Sequence, residues 1–483
     1  MKIEVLLKYK ILRKYKYEIN MKNKQLMKTI VISIAFITLF GCFSSNNAVA
    51  IKSVTSKRPA GQTNVLKLAV EPIDTVRVGF IGLGSRGKGA VHRFTFLEGV
   101  EIKALCDLKE DFVKQAQNTL SNRKSTKADE YIGEDSWKKL CERDDIDLVY
   151  ICTDWLNHAP MAVYAMEQGK HVAVEVPAAM TIEDCWKLVD TAERTRKHCM
   201  MLENCCYDFF ELNTLNMAQQ GLFGEVIHGE GAYIHDLRDK NFRSSDNKGY
   251  ENMWRLKFNT SHTGNPYPTH GLGPICQVMN IHRGDKMNYL VSVSSSQFGM
   301  NAYAKEKFGE NSPEAKENYK LGDMNTTIIK TEKGKTIMIQ HDVTSPRPYS
   351  RLHTLSGLKG FVQKYPIPGI AIEPNSHEFL SKEEFDKLIA EYEHPFITEI
   401  GEFAKKVGGH GGMDFIMDYR LIYCLKNGLP LDLDVYDAAE WSCLVELSEI
   451  SVLNGGKPVQ IPDFTRGDWN KLDGLKFAMK SEQ

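Results

Sequence analysis

The run "VRVGFIGLGSRGKGAVHRF" (76–94) constrains this chain more than any other stretch. Val76, Val78, Phe80 and Ile81 read as a short buried strand. Gly82-Leu83-Gly84-Ser85-Arg86-Gly87 then supplies G-x-G-x-x-G, and a helical pattern follows. Glycines at those places permit a tight turn, close approach of backbone to a pyrophosphate, and close helix–strand packing, while the helix N-terminus faces the phosphates. Alone, the motif is a weak signal. Here the second strand, "VEIKALCD" (100–107), ends in Asp107, twenty residues after Gly87. A carboxylate there takes both ribose hydroxyls of an adenosine and repels a 2′-phosphate, so the pattern points to NAD rather than NADP.

The same rhythm continues. Helical patterns in "KEDFVKQAQNTLSNR" (109–123), around "SWKKLCERDD" (136–145) and in "HAPMAVYAMEQGK" (158–170) alternate with apolar runs "IDLVYICT" (146–153) and "HVAVEVP" (171–177). Strands and helices in alternation build a doubly wound parallel sheet. A Rossmann domain is expected at residues 75–200 and a second α/β domain at 201–483. Residues at the carboxyl ends of such strands line the cofactor crevice, which makes Thr153, Trp155, His158, Glu175 and Val176 candidates for its nicotinamide half.

Two domains suit 483 residues of which 42% are hydrophobic and 25% charged. A net charge of −1 gives nucleic acid no electrostatic footprint, and none is expected as a partner. The cysteines form no C-x-x-C pair, and neither H-x-x-x-H nor H-E-x-x-H occurs, so no metal site is expected. Buried free thiols are expected instead.

Before residue 75 the chain reads as processing rather than fold. "MKTIVISIAFITLFGC" (27–42) has the positive start and short apolar run of a signal peptide, behind a basic extension at 1–26. Leu39-Phe40-Gly41-Cys42 resembles a bacterial lipobox, which would lipidate Cys42; "NNAVA" (46–50) offers an ordinary cleavage site as the alternative. Either route exports the protein, to the periplasm or to a lipid-anchored membrane surface, and membrane contact is expected only through Cys42. Residues 43–74, polar and aperiodic, are expected to be a linker.

"IDLVYICTDWLNHAPMAVYAMEQGKHVAVEVPAA" (146–179) resembles the Gfo/Idh/MocA superfamily. That likeness implies a C-terminal α/β domain on an open, mostly antiparallel sheet, which in this superfamily often pairs across subunits. Whether this chain forms a homo-oligomer stays open. In the dehydrogenases of the superfamily the strand ends in Glu-Lys-Pro, and an Asp stands four residues before a catalytic His. This chain has Val176 for the lysine and Pro266 for the aspartate, but keeps His270 in "NPYPTHGLGP" (265–274). A narrower family, glycoside hydrolase family 109, is similar along nearly all of residues 76–465. The likeness includes "EVPAA" (175–179), "LENCCYDFFELN" (202–213), "GEVIHGEGAYIHDLR" (224–238), "MWRLKFNTSHTGNPYPTHGLGPICQVM" (253–279) and "GGHGGMDF" (408–415).

The family resemblance implies action on terminal α-N-acetylgalactosaminyl or similar hexosyl residues of glycans or glycosides, by a redox route. Hydride passes from C3 of the sugar to NAD, the ketone acidifies C2–H, the C1 substituent is eliminated, water adds, and the hydride returns. Net hydrolysis results without the two flanking carboxylates of an ordinary glycosidase. The resemblance implies cofactor contacts from Gly82, Gly84, Ser85, Arg86, Gly87, Asp107, Trp155, Leu156, Asn157, His158, Glu175, Val176 and Asn204. It implies substrate contacts from Tyr233, Arg255, Tyr267, Pro268, Thr269, His270 and Tyr349. His270 is expected to relay the proton of the C3 hydroxyl, since imidazole titrates near working pH. Tyr207 is expected to act at C2–H or the leaving group, which requires neighbours that lower a phenol's pKa from near 10. His410 and Asp414 belong to a glycine-rich loop that either covers the site or shapes it. Two readings compete: a sugar dehydrogenase, whose NADH must leave, and a sugar-binding lipoprotein with a vestigial nucleotide fold.

Overall fold

Six parallel strands form the first sheet of the computed structural model, which describes residues 20–22, 50–243 and 249–480. Strands β1 (Val76–Ile81), β2 (Val100–Asp107), β3 (Asp129–Ile132), β4 (Leu148–Ile151), β5 (His171–Val174) and β6 (Cys199–Met201) lie in the order β3-β2-β1-β4-β5-β6. The expected doubly wound sheet is therefore present, and its order reverses between β1 and β4, where a crevice opens beyond the strand ends. Helices α1 (Ser85–Phe94), α2 (Glu110–Asn122), α3 (Ser136–Cys141), α4 (Trp155–Glu167) and α5 (Ile182–Thr195) cover it. Their sequences dictate this: α2 buries Val113, Ala116, Gln117 and Leu120, one stripe at helical spacing. Helix α4 begins at Trp155, three residues earlier than its apolar pattern, because the Asp154 side chain accepts from the Leu156 amide.

The second sheet comprises β7 (Val226–Ile234), β8 (Met287–Ser294), β9 (Asn325–Thr331), β10 (Thr336–Asp342), β11 (Ser350–Gly357), β12 (Gly360–Gln363), β13 (Gly369–Ile372) and β14 (Val459–Gln460). Its order is β13-β12-β11-β7-β10-β9-β8-β14. Only β7 and β10 run parallel, so the sheet is mostly antiparallel as expected. One face is packed and the other open: Leu290, Ser292 and Ile329 are buried while Tyr289, Val293 and Ile328 are exposed. Five further helices matter for the site: α6 (Trp254–Ser261), α7 (Thr269–Val278), α8 (Met413–Lys426), α9 (Val435–Ser442) and α10 (Leu444–Leu453).

Helix α7 lies against β7 backbone to backbone. A Cβ on Gly231 would stand 2.2 Å from the Gly271 carbonyl oxygen, and a Cβ on Gly271 would stand 2.3 Å from the Ala232 nitrogen. Only two glycines permit that approach, and it brings His270 down onto the carboxyl end of β7.

The linker expected at 43–74 needs correction from Ala50 onward. Ile51 donates to the Pro458 oxygen at 2.8 Å and accepts from Gln460 at 2.9 Å. Arg58 pairs with Glu193 and Asp468. Val65 and Leu68 are buried, and the Val65 amide donates to the Tyr436 hydroxyl at 3.0 Å. This segment is a strap whose contacts are with other elements, so it shows no period of its own. The expected signal run and Cys42 lie outside the described residues. The ten cysteines from Cys106 to Cys443 are free thiols.

Candidate active site

The turn after β1 is built as the motif requires. Gly82 has φ +86°, and a Cβ there would meet the Cys152 carbonyl oxygen at 2.6 Å. At Gly87 a Cβ would lie 1.8 Å from the Gly82 oxygen, whereas at Gly84 it would meet nothing within 4 Å. Helix α1 starts at Ser85 without a side-chain cap, so its first amides face that open space as anion donors. Beside the turn, Asp107 accepts from the Leu83 amide at 2.6 Å and from the Lys109 amide at 2.9 Å. Partial burial lifts its carboxyl above the ordinary range. An uncapped helix start, an open side at Gly84 and a pinned carboxylate together fit the phosphates and adenosine ribose of a dinucleotide.

The other half of the crevice is an ion network. Arg86 donates through Nε to Glu175 at 2.7 Å and through Nη1 to Asp414 at 2.9 Å. Asn204 donates to the other Asp414 oxygen at 2.5 Å. Val176 is buried beside Glu175, its amide on the Glu175 carboxylate at 3.3 Å. His158 is sealed in, with Nδ1 2.7 Å from the Pro177 oxygen and Nε2 3.1 Å from the Thr153 oxygen. Burial pushes its pKa down, so it shapes the crevice wall rather than carrying charge. Leu156 is exposed, and Asn157 bonds the Asp154 side chain at 2.7 Å; both stand in the first turn of α4.

On the sugar side, aromatic rings surround one guanidinium. Arg255, on α6, lies 4.8 Å from the Trp155 ring, 5.0 Å from Tyr267, 5.4 Å from Tyr250 and 5.5 Å from Tyr233. Its Nη1 donates to the Tyr250 hydroxyl at 3.0 Å, while Nε and Nη2 have no hydrogen-bond partner among the described residues. Tyr233 lies tilted against Tyr267 at 4.6 Å and edge-on to His270 at 5.5 Å, and its hydroxyl pairs with His235 Nδ1 at 3.0 Å. Burial and Arg255 hold the His235 pKa down at about 4. Tyr349 packs edge-on against His235 at 5.1 Å. Pro268 and Thr269 are buried where α7 begins.

His270 projects from that helix start. Its Nδ1 lies 2.7 Å from Glu203 Oε1, and its Nε2 faces the Tyr267 hydroxyl at 3.5 Å. Glu203 is fully buried. Burial alone would raise its carboxyl; the charge and hydrogen bond of His270 lower it below the ordinary range. The proton therefore sits on Nδ1, directed at Glu203, and Nε2 is the nitrogen free to exchange a proton in the pocket.

The sequence reading had two faults here. Tyr207 does not join His270: it is fully buried, its hydroxyl donates to Asp432 at 3.4 Å, and Arg420 grips the same carboxylate at 2.9 Å. Burial and Asp432 push its pKa well above the ordinary value, the reverse of what proton transfer would need. Glu203 was missed altogether. It follows the end of β6, so the strand-end rule that singled out Glu175 on β5 would have found it one strand further on.

Comparison with known proteins agrees with both halves of this geometry. Residues 76–203 match the description "Oxidoreductase family, NAD-binding Rossmann fold", and residues 207–471 match "Glycosyl hydrolase 109, C-terminal domain". The chain belongs to glycosyl hydrolase family 109. An α-N-acetylgalactosaminidase of Bacteroides fragilis is 62% identical over 410 residues, covering 85% of this chain and 96% of that protein. Glycosyl hydrolase family 109 protein 1 of Bacteroides thetaiotaomicron is 52% identical over 473 residues, covering 94% and 99%. An oxidoreductase domain protein from Kribbella flavida shares the fold, with a TM-score of 0.61 at 16% identity over 80% of this chain and 100% of that one. In this family 109 glycosidase the crevice of the Rossmann domain is the NAD site.

The strand-end carboxylates of this pocket do not stand as a free pair. Glu175 and Glu203 follow adjacent strands, yet each is paired to a cationic or proton-bearing partner, Arg86 for one and His270 for the other. Neither is left as a free nucleophile.

Proposed function

We propose that this protein hydrolyses terminal α-N-acetylgalactosaminyl residues of glycans or glycosides by oxidation, elimination, water addition and reduction, with no net redox. The observation that carries this reading is the Glu203–His270 pair opening on the aromatic pocket, in a crevice where Val176 stands in place of the dehydrogenase lysine. NAD held here would supply a reversible hydride acceptor for C3 of the sugar; the C3 ketone would make C2–H acidic, its proton passing through exchangeable groups of the pocket to the departing C1 oxygen as the C1–O bond breaks. His270 Nε2 takes the C3 hydroxyl proton and returns it, while Glu203 steadies the imidazolium that forms between. Trp155, Tyr233 and Tyr267 offer ring faces to the sugar. Arg255, whose Nε and Nη2 have no partner among the described residues, offers planar donors to the acetamide carbonyl or to an enolate oxygen.

The relatives' names support the sugar, and the geometry supports the route. The test is hydrolysis of p-nitrophenyl α-N-acetylgalactosaminide in deuterated water, following nitrophenol release and deuterium at C2 of the product. Release with C2 deuteration is expected. Release without C2 deuterium, or NADH accumulating in step with substrate, would overturn the route.

Two finer points belong to the same reading. The apolar run ending at Leu39-Phe40-Gly41-Cys42 supports export and a lipid anchor at Cys42; metabolic labelling with a palmitate analogue, lost in Cys42→Ala, tests it. The exposed Tyr289, Val293 and Ile328 on the open face of the second sheet support a homo-oligomer paired through that face. Sedimentation of wild type against Val293→Glu measures it.

A further inference from the structure

Strand β11 carries two consecutive residues in the left-handed backbone region, Leu352 with φ +56° and His353 with φ +53°. Neither is a glycine, and such a pair inside a strand costs energy that persists only where surrounding contacts over-determine it. The register against β7 slips on both sides of Leu352, so the strand is bent there. Contacts from one helix hold the bend. Thr214 Oγ1 lies 2.8 Å from His353 Nε2, and Arg351 Nη2 donates to Glu211 at 2.6 Å and to Asp208 at 2.7 Å. Glu211 and Thr214 stand three residues apart on the helix Phe209–Gln219, hence on one face, and Asp208 is its N-cap.

Lys364 completes a quartet, 2.7 Å from Asp208 and 2.7 Å from Glu211. Burial opposes the charge on Glu211, yet Arg351 and Lys364 hold its carboxyl down at about 2. Two cations thus balance two carboxylates, and the buried Arg351 guanidinium is fixed along one edge. Its remaining nitrogen, Nη1, donates to the Tyr349 hydroxyl at 3.3 Å. That contact decides what the hydroxyl can do. A phenol oxygen that accepts from a guanidinium sends its own proton elsewhere, and no acceptor for that proton stands among the described residues. Tyr349 packs edge-on against His235 and Tyr233 and is 38% exposed. Burial of the rest of the side chain pushes the phenol pKa up, with Arg351 opposing, so the oxygen keeps its proton.

We propose that Arg351 is a positioning residue for the sugar: locked by Asp208, Glu211 and the bend at Leu352-His353, it makes the Tyr349 hydroxyl a committed hydrogen-bond donor to an oxygen of the sugar or of its acetamide. This rests on the reading above, in which the aromatic pocket receives the sugar. A substrate with no acceptor at that wall gains nothing from the pair, so the pair selects for one that has it.

The test is a double-mutant cycle between Arg351 and Tyr349 on the holoenzyme, measuring KM and kcat for p-nitrophenyl α-N-acetylgalactosaminide and thermal unfolding on the same preparations. Tyr349→Phe should raise KM about tenfold, the size expected of one hydrogen bond, with kcat changed little. Arg351→Lys keeps a cation between Asp208 and Glu211 but loses the third arm of the fork. It should raise KM by a similar factor, and the double variant should be no worse than Tyr349→Phe alone. An arginine that only supports the fold would add its own loss to that of Tyr349→Phe, so multiplied effects would overturn the proposal. A wild-type KM in either single variant would do the same. If Arg351→Lys unfolds at a lower temperature, Glu211→Gln, which keeps the shape and loosens one side of the guanidinium, runs the same cycle under the same criteria. Deuterium at C2 of the product is measured independently: its absence would refute the redox route and leave the outcome of the cycle unaffected.

Discussion

Glu203 and His270, 67 residues apart in the chain, meet at 2.7 Å between Oε1 and Nδ1 with the carboxylate fully buried. The contact fixes which imidazole nitrogen faces the pocket and stabilises the charged ring when a proton arrives. Glu203→Gln keeps the shape and removes the charge. It should lower kcat about 10²-fold with KM changed little, read from steady-state hydrolysis. Equal losses in KM and none in kcat would assign Glu203 to binding instead.

Arg255 acts through its plane as well as its charge, since Trp155, Tyr233, Tyr250 and Tyr267 all lie within 5.5 Å of it. Arg255→Lys retains the charge but loses the fork and the stacking. We expect kcat/KM to fall about tenfold or more, mostly through KM, checked on the nitrophenyl substrate.

The Gly231–Gly271 contact leaves no room for a methyl group. Gly271→Ala should destabilise the protein by about 1–3 kcal/mol, the usual result of overpacking, and should lower activity further by displacing His270. Thermal unfolding and kcat measured on the same preparation separate the two effects.

Val176 is buried beside Glu175. Restoring the dehydrogenase lysine by Val176→Lys places an ammonium in that apolar position, already served by Arg86 as the partner of Glu175. Hydrolysis should not rise. A gain in hydrolytic rate would show that proton transfer at C3 still needs a base on this strand.

A stability switch lies away from the pocket. His282 is buried with Arg283 against Asp434, Asp437 and Glu440. Burial and Arg283 oppose its charge, yet the three carboxylates lift its pKa from 6.5 to about 10. A folded pKa above the unfolded one means the charged ring contributes fully below pH 6.5, and that contribution is lost as pH rises toward 10. Stability should therefore fall over that window by on the order of a few kcal/mol, and His282→Gln should flatten the decline. Denaturant unfolding at pH 6.5, 8 and 10 measures it.

The dinucleotide half was legible because its determinants are local. Three glycines, a helix start and Asp107 lie within one short β-α-β unit, where spacing fixes geometry. Val176 and Pro266 stood out only against the pattern of the dehydrogenases this chain resembles. The proposed catalytic pair was half legible: His270 stood out through the family likeness, but its partner follows β6, and only the folded sheet brings the two together. Tyr207 misled because its hydroxyl could have turned either way until Asp432, 225 residues along, was seen to hold it. The strap from Ala50 onward carries apolar residues at no regular interval, since each answers to a different neighbour.

The occupied states of Glu175 and Glu203 also decide which inhibitors this pocket can recognise. Reagents that inactivate retaining glycosidases, such as cyclitol epoxides and activated fluoro-sugars, work by alkylating a carboxylate poised beneath the anomeric carbon. Here both strand-end carboxylates already hold partners, so such reagents meet no waiting nucleophile. On the proposed route a sugar lacking its C3 hydroxyl would instead fill the pocket and stall there, which turns a missing oxygen into the more selective probe.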